Sequence, residues 1–311
     1  MYDAIIIGAG PAGLAAAVYL ARQKLKFLIL TGDIGGQTLW STDVEDYLGF
    51  HLLNGADLVK KFREHLVDYE GGYELHEGEL VQKIEKSPSS QEGVEGVFSV
   101  TTAKSSYGTK SILLATGTKH RELNVPGEKE FYGKGVTYCA TCDAPLFRDK
   151  KVYVIGGGNS AMDAALFLEK YTKDITIVTV NRELAGDAVL LSKINASANI
   201  HIRPLTKTTK IIGNSFVTGI GFIGPDGVEQ TDACQGVLIE IGLVPATSFV
   251  DIVAKDRWNQ VIIDKQNRTN IPGIFAAGDA TDVTQKQIAV AVGEGSKAAL
   301  ELIRYLQTTH V

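Results

Sequence analysis

Ala4-Ile-Ile-Ile-Gly8-Ala-Gly10-Pro11-Ala12-Gly13 is the stretch that decides the fold. Four apolar residues suit a strand buried on both faces of a parallel sheet. The glycines that follow have the spacing G-x-G-x-x-G, and residues 14–21 are alanine-rich, which predicts a helix. Residues 26–30 read as a second strand. Strand, glycine turn, helix and strand within ~30 residues give the pattern a specificity that the glycines alone lack. Gly8 makes the turn, Gly10 lets backbone approach a pyrophosphate, and Gly13 lets helix and strand pack closely. The pyrophosphate then meets amides at the helix start, where Pro11 and Ala12 lie. An acid about 20 residues on commonly holds a ribose hydroxyl. Here the second strand ends Leu30-Thr31-Gly32-Asp33, so the acid is absent or displaced to Asp33. Thr31 and Gly32 join the candidate contacts. Gly35-Gly36-Gln37 suggests a second close approach of backbone to ligand, and Asp46 lies a little further on.

The same pattern returns later in the chain. A strand at 152–155 runs into Gly156-Gly-Gly158-Asn159-Ser160-Ala161, a helix to about residue 171, and a strand at 175–180. The first glycines of the two turns are 148 residues apart (156 − 8), a repeat at domain scale. A chain of 311 residues suits two domains of ~150. Residues 54–70 predict an amphipathic helix, with Leu58, Phe62 and Leu66 on one face. Short alternating segments over 74–112, around Ser87-Pro-Ser-Ser-Gln-Glu-Gly93, predict a β-meander. Ser111-Ile-Leu-Leu-Ala115-Thr116-Gly117 is a strand with a tight end, where the chain leaves the first domain. The expected fold is α/β, with two Rossmann-like dinucleotide-binding domains. The first comprises 1–117 and 245–311; the second, 118–244, is inserted into it. In the returning segment, Ile271-Pro-Gly-Ile-Phe-Ala-Ala-Gly278-Asp279 ends a strand with an acid placed for a polyol hydroxyl. Lys286, Gln287 and Ile288 open a helix, predicted to break near Gly293-Glu-Gly295, whose N-terminus offers positive dipole to an anionic ligand.

Between the two turns stands Cys139-Ala-Thr-Cys142-Asp143. A C-x-x-C pair can close a small disulfide ring, commonly with a lowered thiol pKa, and an adjacent acid can move the proton that thiolate chemistry needs. The tetrapeptide alone also fits half of a zinc site. Closure needs about four ligands, and the sequence holds neither a second C-x-x-C nor paired histidines, so no metal is expected. Cys234 stands alone and reads as a small buried hydrophobe. Three cysteines suit a reducing compartment in which a disulfide is a working part. The net charge of −5 argues against a nucleic-acid partner. Eighteen uncharged residues, 4–21, reach the length of a membrane span, but glycines and Pro11 interrupt them. The start of the chain lacks the positive flank of a signal peptide, so a cytoplasmic protein without membrane contact is expected.

Taken together these motifs resemble the bacterial-type thioredoxin reductase family and the C-terminal part of the alkyl hydroperoxide reductase flavoprotein subunit. The matching stretches are 8–13, 35–37, 115–117, 135–143, 156–161 and Ala276-Ala-Gly-Asp279. The resemblance implies FAD on the first domain, NADPH or NADH on the second, a homodimer, and a large rotation between the domains. It places Cys142 towards the flavin, Cys139 as attacker of a thioredoxin or thioredoxin-like disulfide, and Asp143 as proton donor. The hydroperoxide relatives carry an extra thioredoxin-like module; here the partner is expected as a separate protein. Two departures stand out. The family's glycine after Cys-Asp is Ala144, and the NADPH users' His-Arg-Arg-x-x-x-Arg cluster is replaced by Thr179-Val-Asn-Arg182-Glu-Leu-Ala185. Arg182 is the one cation left, and Thr179 stands where NADH users carry an acid. The donor therefore stays open between a nicotinamide and ferredoxin or another flavin. Electron flow in the reverse direction would make a dithiol oxidase, and a redox sensor is a non-enzymatic alternative.

Overall fold

In the computed structural model, which describes residues 1–41, 44, 46–69, 71–86 and 98–308, the chain begins β1 (Ala4–Ala9), α1 (Pro11–Arg22), β2 (Phe27–Ile34), α2 (Gly55–Val67), β3 (Tyr73–Glu77). It continues β4 (Val81–Lys86), β5 (Phe98–Thr102), β6 (Ser106–Thr109), β7 (Ile112–Leu114) and β8 (Thr118–His120). Next come β9 (Val136–Thr137), α3 (Ala140–Asp143), β10 (Lys151–Ile155), α4 (Asn159–Leu168), β11 (Asp174–Val178), α5 (Ala188–Ala196) and β12 (Ile200–Arg203). It ends β13 (Lys207–Gly213), β14 (Val217–Ile223), β15 (Glu229–Ala233), β16 (Gly236–Ile239), β17 (Leu243–Pro245), β18 (Ile274–Ala276) and α6 (Ile288–Thr308). Two compact units result: 1–119 with 244–311, and 120–243.

In the first unit a parallel sheet has the order β18-β7-β1-β2-β3. Side chains on a strand alternate between faces, and the sheet uses both. Ala4, Ile6, Phe27, Ile29 and Leu113 pack with buried residues of α1 and α6 such as Leu20 and Leu302. Ile5, Ile7, Leu28, Leu30 and Ile112 pack on the other face against Val81, Ile84, Phe98 and Val100 of the antiparallel sheet β4-β5-β6. A meander is present as expected, although Ser87 to Gly93 lies outside the described residues. Helix α2 starts at an Asn54 cap that accepts from the Asp57 N–H (2.8 Å).

One expectation fails here: α6 runs unbroken through Gly293 and Gly295. A Cβ on Gly295 would lie 2.0 Å from the Ala12 carbonyl oxygen. That glycine lets α6 approach α1 closely instead of ending the helix. A gain in contact across the helix pair offsets its poor helix propensity.

The second unit repeats the three layers. Its parallel sheet has the order β12-β11-β10-β16-β9. Val152, Val154, Ile175, Ile177 and Leu238 meet Met162, Ala165 and Leu168 of α4. Tyr153, Ile155, Val237 and Ile239 meet Ile211, Val217, Ile220 and Phe222 of the antiparallel sheet β13-β14-β15. Free Cys234 is fully buried in this second cluster, and burial pushes its thiol up to about 12. It packs as a hydrophobe. Among the described residues no helix is long and apolar enough to cross a membrane.

Candidate active site

In the first unit the chain steps from β1 outward to β2 and β3, then returns to place β7 on the other side. Open α/β sheets take ligands at the carboxyl ends of the strands where the order reverses. The 8–13 turn sits there. Gly8 has φ +103°, and a Cβ on it would lie 2.3 Å from the Ala115 carbonyl oxygen. A Cβ on Gly13 would lie 2.0 Å from the Gly8 carbonyl oxygen. A Cβ on Gly10 would meet nothing within 4 Å. Gly8 and Gly13 thus shape the turn, while Gly10 leaves an open face above a helix N-terminus. These residues fit a dinucleotide pyrophosphate.

The other first-unit motifs converge on this turn. The Gly35 N–H donates to the Ala9 carbonyl (2.8 Å), and a Cβ on Gly36 would stand 3.5 Å from Gly10 Cα. Thr31 Oγ1 accepts from the Ala9 N–H (3.1 Å) and donates to the Asp33 carbonyl (2.5 Å). Asp33 Oδ1 accepts from the Gly36 N–H (2.9 Å). The Asp33 carboxyl thus closes the Gly35-Gly36 turn, and the Asp33 backbone carbonyl is linked through Thr31 to Ala9 in the first turn. Gln37 Nε2 donates to the Thr118 carbonyl (3.1 Å). Ala115 and Ala277 donate to the carbonyls of Ile7 and Leu114, so Thr116, Gly117 and Gly278 stand at adjacent strand ends. A Cβ on Gly278 would lie 3.1 Å from the Ala12 side chain.

Burial pushes the Asp279 carboxyl up, and the neighbouring Lys286 opposes that shift. Burial also pulls Lys286 down against the pull of Asp279, while its Nζ donates to the Thr281 carbonyl (2.6 Å). A partly buried acid at this place is short of solvation, as a group awaiting a ligand hydroxyl would be. Gln287 is exposed just before Ile288 opens α6, and Asp46 lies in an exposed bend. A cavity of about 550 Å³ beside Asp33 is lined by Lys60, Arg63 and Glu77 among others. Lys60 and Arg63 are exposed on α2, as the solvated face of an amphipathic helix.

The second unit has its own reversal between β10 and β16. A Cβ on Gly156 would lie 2.1 Å from the Glu240 carbonyl oxygen. Gly158, Asn159 and Ser160 are exposed at the start of α4, with Ala161 buried behind them, so the turn also fits a pyrophosphate. Its surroundings differ from those of the first turn. A Cβ on Gly157 would lie 2.3 Å from Thr179 Oγ1, a buried hydroxyl that accepts from the Asn181 N–H (3.2 Å). The segment after β11 folds back onto the turn: Ala185 N–H donates to the Gly157 carbonyl (2.8 Å), and Asp187 N–H to Asn159 Oδ1 (2.9 Å). Arg182 is exposed beside Glu183. Glu240, at the end of β16, has its carboxyl pushed up to about 8 by burial, with a further push from Asp163.

The cysteine pair follows β9, the edge strand that pairs Val136 with Val237 and Thr137 with Leu238. Cys139 and Cys142 are joined by a disulfide across the single turn α3. Cys139 is buried (5% exposed) and Cys142 is exposed. The Cys142 N–H donates to Cys139 Sγ (3.1 Å). Thr137 Oγ1 accepts from the Cys139 N–H (3.0 Å) and donates to Asp143 Oδ2 (2.5 Å). Buried Glu128 accepts from the N–H groups of Leu123 (2.7 Å) and Asn124 (2.6 Å) and from the Tyr138 hydroxyl (2.6 Å), which anchors the segment leading in.

Two parallel-sheet units, each with a glycine turn at its point of reversal, and a C-x-x-C disulfide in one of them define a protein class with two dinucleotide folds. The chain belongs to the pyridine nucleotide-disulphide oxidoreductase family, whose sequence pattern matches residues 2–295. It is 37% identical over 312 residues to the F subunit of alkyl hydroperoxide reductase from Pseudomonas putida. That match covers 99% of this chain and 59% of the relative's length. The thioredoxin reductase of Lactococcus lactis has a TM-score of 0.91 at 34% identity, covering 99% of this chain and 100% of the other. The thioredoxin reductase of T. acidophilum has 0.87 at 37% identity, covering 99% and 98%. The resemblance read from the motifs is therefore to the right family.

Proposed function

We propose that this protein is a flavin-dependent disulfide reductase that passes electrons through Cys139–Cys142 to a thioredoxin or thioredoxin-like protein. The observation that carries the reading is the disulfide held beside Asp143 in a chain with two dinucleotide turns. FAD belongs on the 8–13 turn, with the 35–37 and 115–117 segments, Gly278, Asp279 and the 286–288 helix start around it. A bound flavin would supply electrons in pairs to the disulfide. The nicotinamide nucleotide belongs on the 156–161 turn. By likeness to the family the protein is a cytoplasmic homodimer, a reading open to test by light scattering and fractionation.

Cys139 and Cys142 divide the thiol work. By likeness to the family Cys139 is the attacking sulfur; in the disulfide its Sγ accepts from the Cys142 N–H (3.1 Å). It is buried, so it must be uncovered for a protein disulfide to reach it. Cys142 then resolves the mixed disulfide by attacking Cys139.

The donor site supports weak nicotinamide binding. A 2′-phosphate brings about −1.5 to −2 charge and is usually met by bidentate arginines. Arg182 is flanked by Glu183, and Thr179 offers one buried hydroxyl where a carboxylate would hold a ribose diol. Anaerobic stopped-flow reduction of the flavin tests this, with NADPH, NADH and reduced ferredoxin as donors. Slow bleaching by both nicotinamides at similar rates is expected. A preference for NADPH of several hundredfold needs roughly 3–4 kcal/mol of phosphate recognition and overturns the weak-site reading. Bleaching by ferredoxin alone moves the donor outside the nicotinamides.

A further inference from the structure

We propose that Thr137 is the positioning residue for Asp143 in thiol–disulfide exchange, an inference that rests on the reductase reading above. Its hydroxyl has both of its roles filled. It accepts from the Cys139 N–H (3.0 Å) and donates to Asp143 Oδ2 (2.5 Å), so one buried oxygen links the backbone of the attacking cysteine to the acid. Thr137 is itself fixed in place. It lies in β9, in register with Leu238 of β16, so the parallel sheet sets its backbone. A β-branched side chain on a strand has few χ1 choices, which keeps the hydroxyl aimed.

Oδ2 of Asp143 accepts from Thr137, which fixes the rotation of the carboxyl group. In the exchange, the Cys139 thiolate bonds to one partner sulfur as the partner's S–S bond breaks. Cys142 then loses its proton, attacks Cys139, and releases the second partner thiolate. The dithiol is oxidised and the partner reduced. The two protons the dithiol gives up equal the two that the departing thiolates take. Asp143, the proton donor that the family likeness implies, carries one of them, and holding its carboxyl in one rotamer for that transfer is the task of Thr137.

The test uses the full flavoprotein with its dithiol generated anaerobically by a phosphine that is then removed by gel filtration, so that the protein dithiol is the one reductant of the probe. An aromatic disulfide is the probe, and the released thiolate is followed by absorbance. Thr137→Val, which keeps the shape and loses the hydroxyl, should slow exchange about tenfold. Thr137→Ser should restore it to within about twofold of wild type. Asp143→Asn should be slow, and adding Thr137→Val to it should slow it no further, since the threonine acts through the acid. The proposal is overturned by Thr137→Val at the wild-type rate, by Thr137→Ser as slow as valine, or by single effects that multiply in the double variant. Cys139→Ser and Cys142→Ser in the same assay separate the two levels. A wild-type rate in Cys139→Ser alone gives the attack to exposed Cys142 and overturns the proposal, whereas a wild-type rate in both Cys139→Ser and Cys142→Ser shows that the pair is not the route and the reductase reading itself fails.

Discussion

Gly10→Val separates what the first glycine turn does for the fold from what it does for a cofactor. Gly10 has φ −73° and ψ −174°, a conformation open to any residue, and a Cβ there meets nothing within 4 Å. The protein without flavin should therefore tolerate the change within about 1 kcal/mol, since replacing a glycine at compatible dihedrals also narrows the unfolded ensemble. The added isopropyl group does occupy the open face where a pyrophosphate would meet the backbone. Bound flavin should fall from about one per chain to under about a tenth, because close approach at this glycine is what the pyrophosphate requires. Flavin at 100 times its dissociation constant adds about 2.7 kcal/mol to wild type, or roughly 5–10 °C in Tm for a unit of this size. The variant should lose that increment and little else.

Gly13→Ala is the control for the fold. Its Cβ would lie 2.0 Å from a backbone oxygen, so strain of about 1–3 kcal/mol or more should lower stability with or without flavin. Flavin absorbance per chain and paired melting curves decide the matter. Near-stoichiometric flavin in Gly10→Val, or an apo Tm lowered as far as that of Gly13→Ala, refutes the placement.

Two further expectations concern the second unit. Cys142→Ser should stop electrons leaving the flavin, while Cys139→Ser should leave Cys142 in communication with it but unable to reduce a partner; a mixed disulfide trapped through Cys142 instead of Cys139 reverses the assignment. Glu240, whose carboxyl is raised to about 8, favours its neutral form when folded. Its contribution to stability is complete below about pH 4.5 and is lost as pH climbs through 8. Glu240→Gln should therefore raise Tm at pH 9 relative to wild type and leave it nearly unchanged at pH 5, and parallel melting curves at every pH contradict this.

The parts of the molecule that a reader could find in the sequence are those where a local pattern has one steric solution. Gly8 and Gly13 are legible because the strand–turn–helix crossing leaves no room for a Cβ, and the spacing alone reports that. Gly293-Glu-Gly295 has the same composition cue and the opposite meaning. What decides it is the carbonyl of Ala12, almost three hundred residues away, against which α6 packs. Thr137 carries the point into the site. In sequence it is an unremarked residue two places before a cysteine pair. Only the pairing of β9 with β16, whose strands are about 100 residues apart, makes its hydroxyl a fixed bridge. Chemistry-bearing atoms such as the sulfurs advertise themselves by type and spacing. The groups that aim them do so through long-range register, which no local window contains.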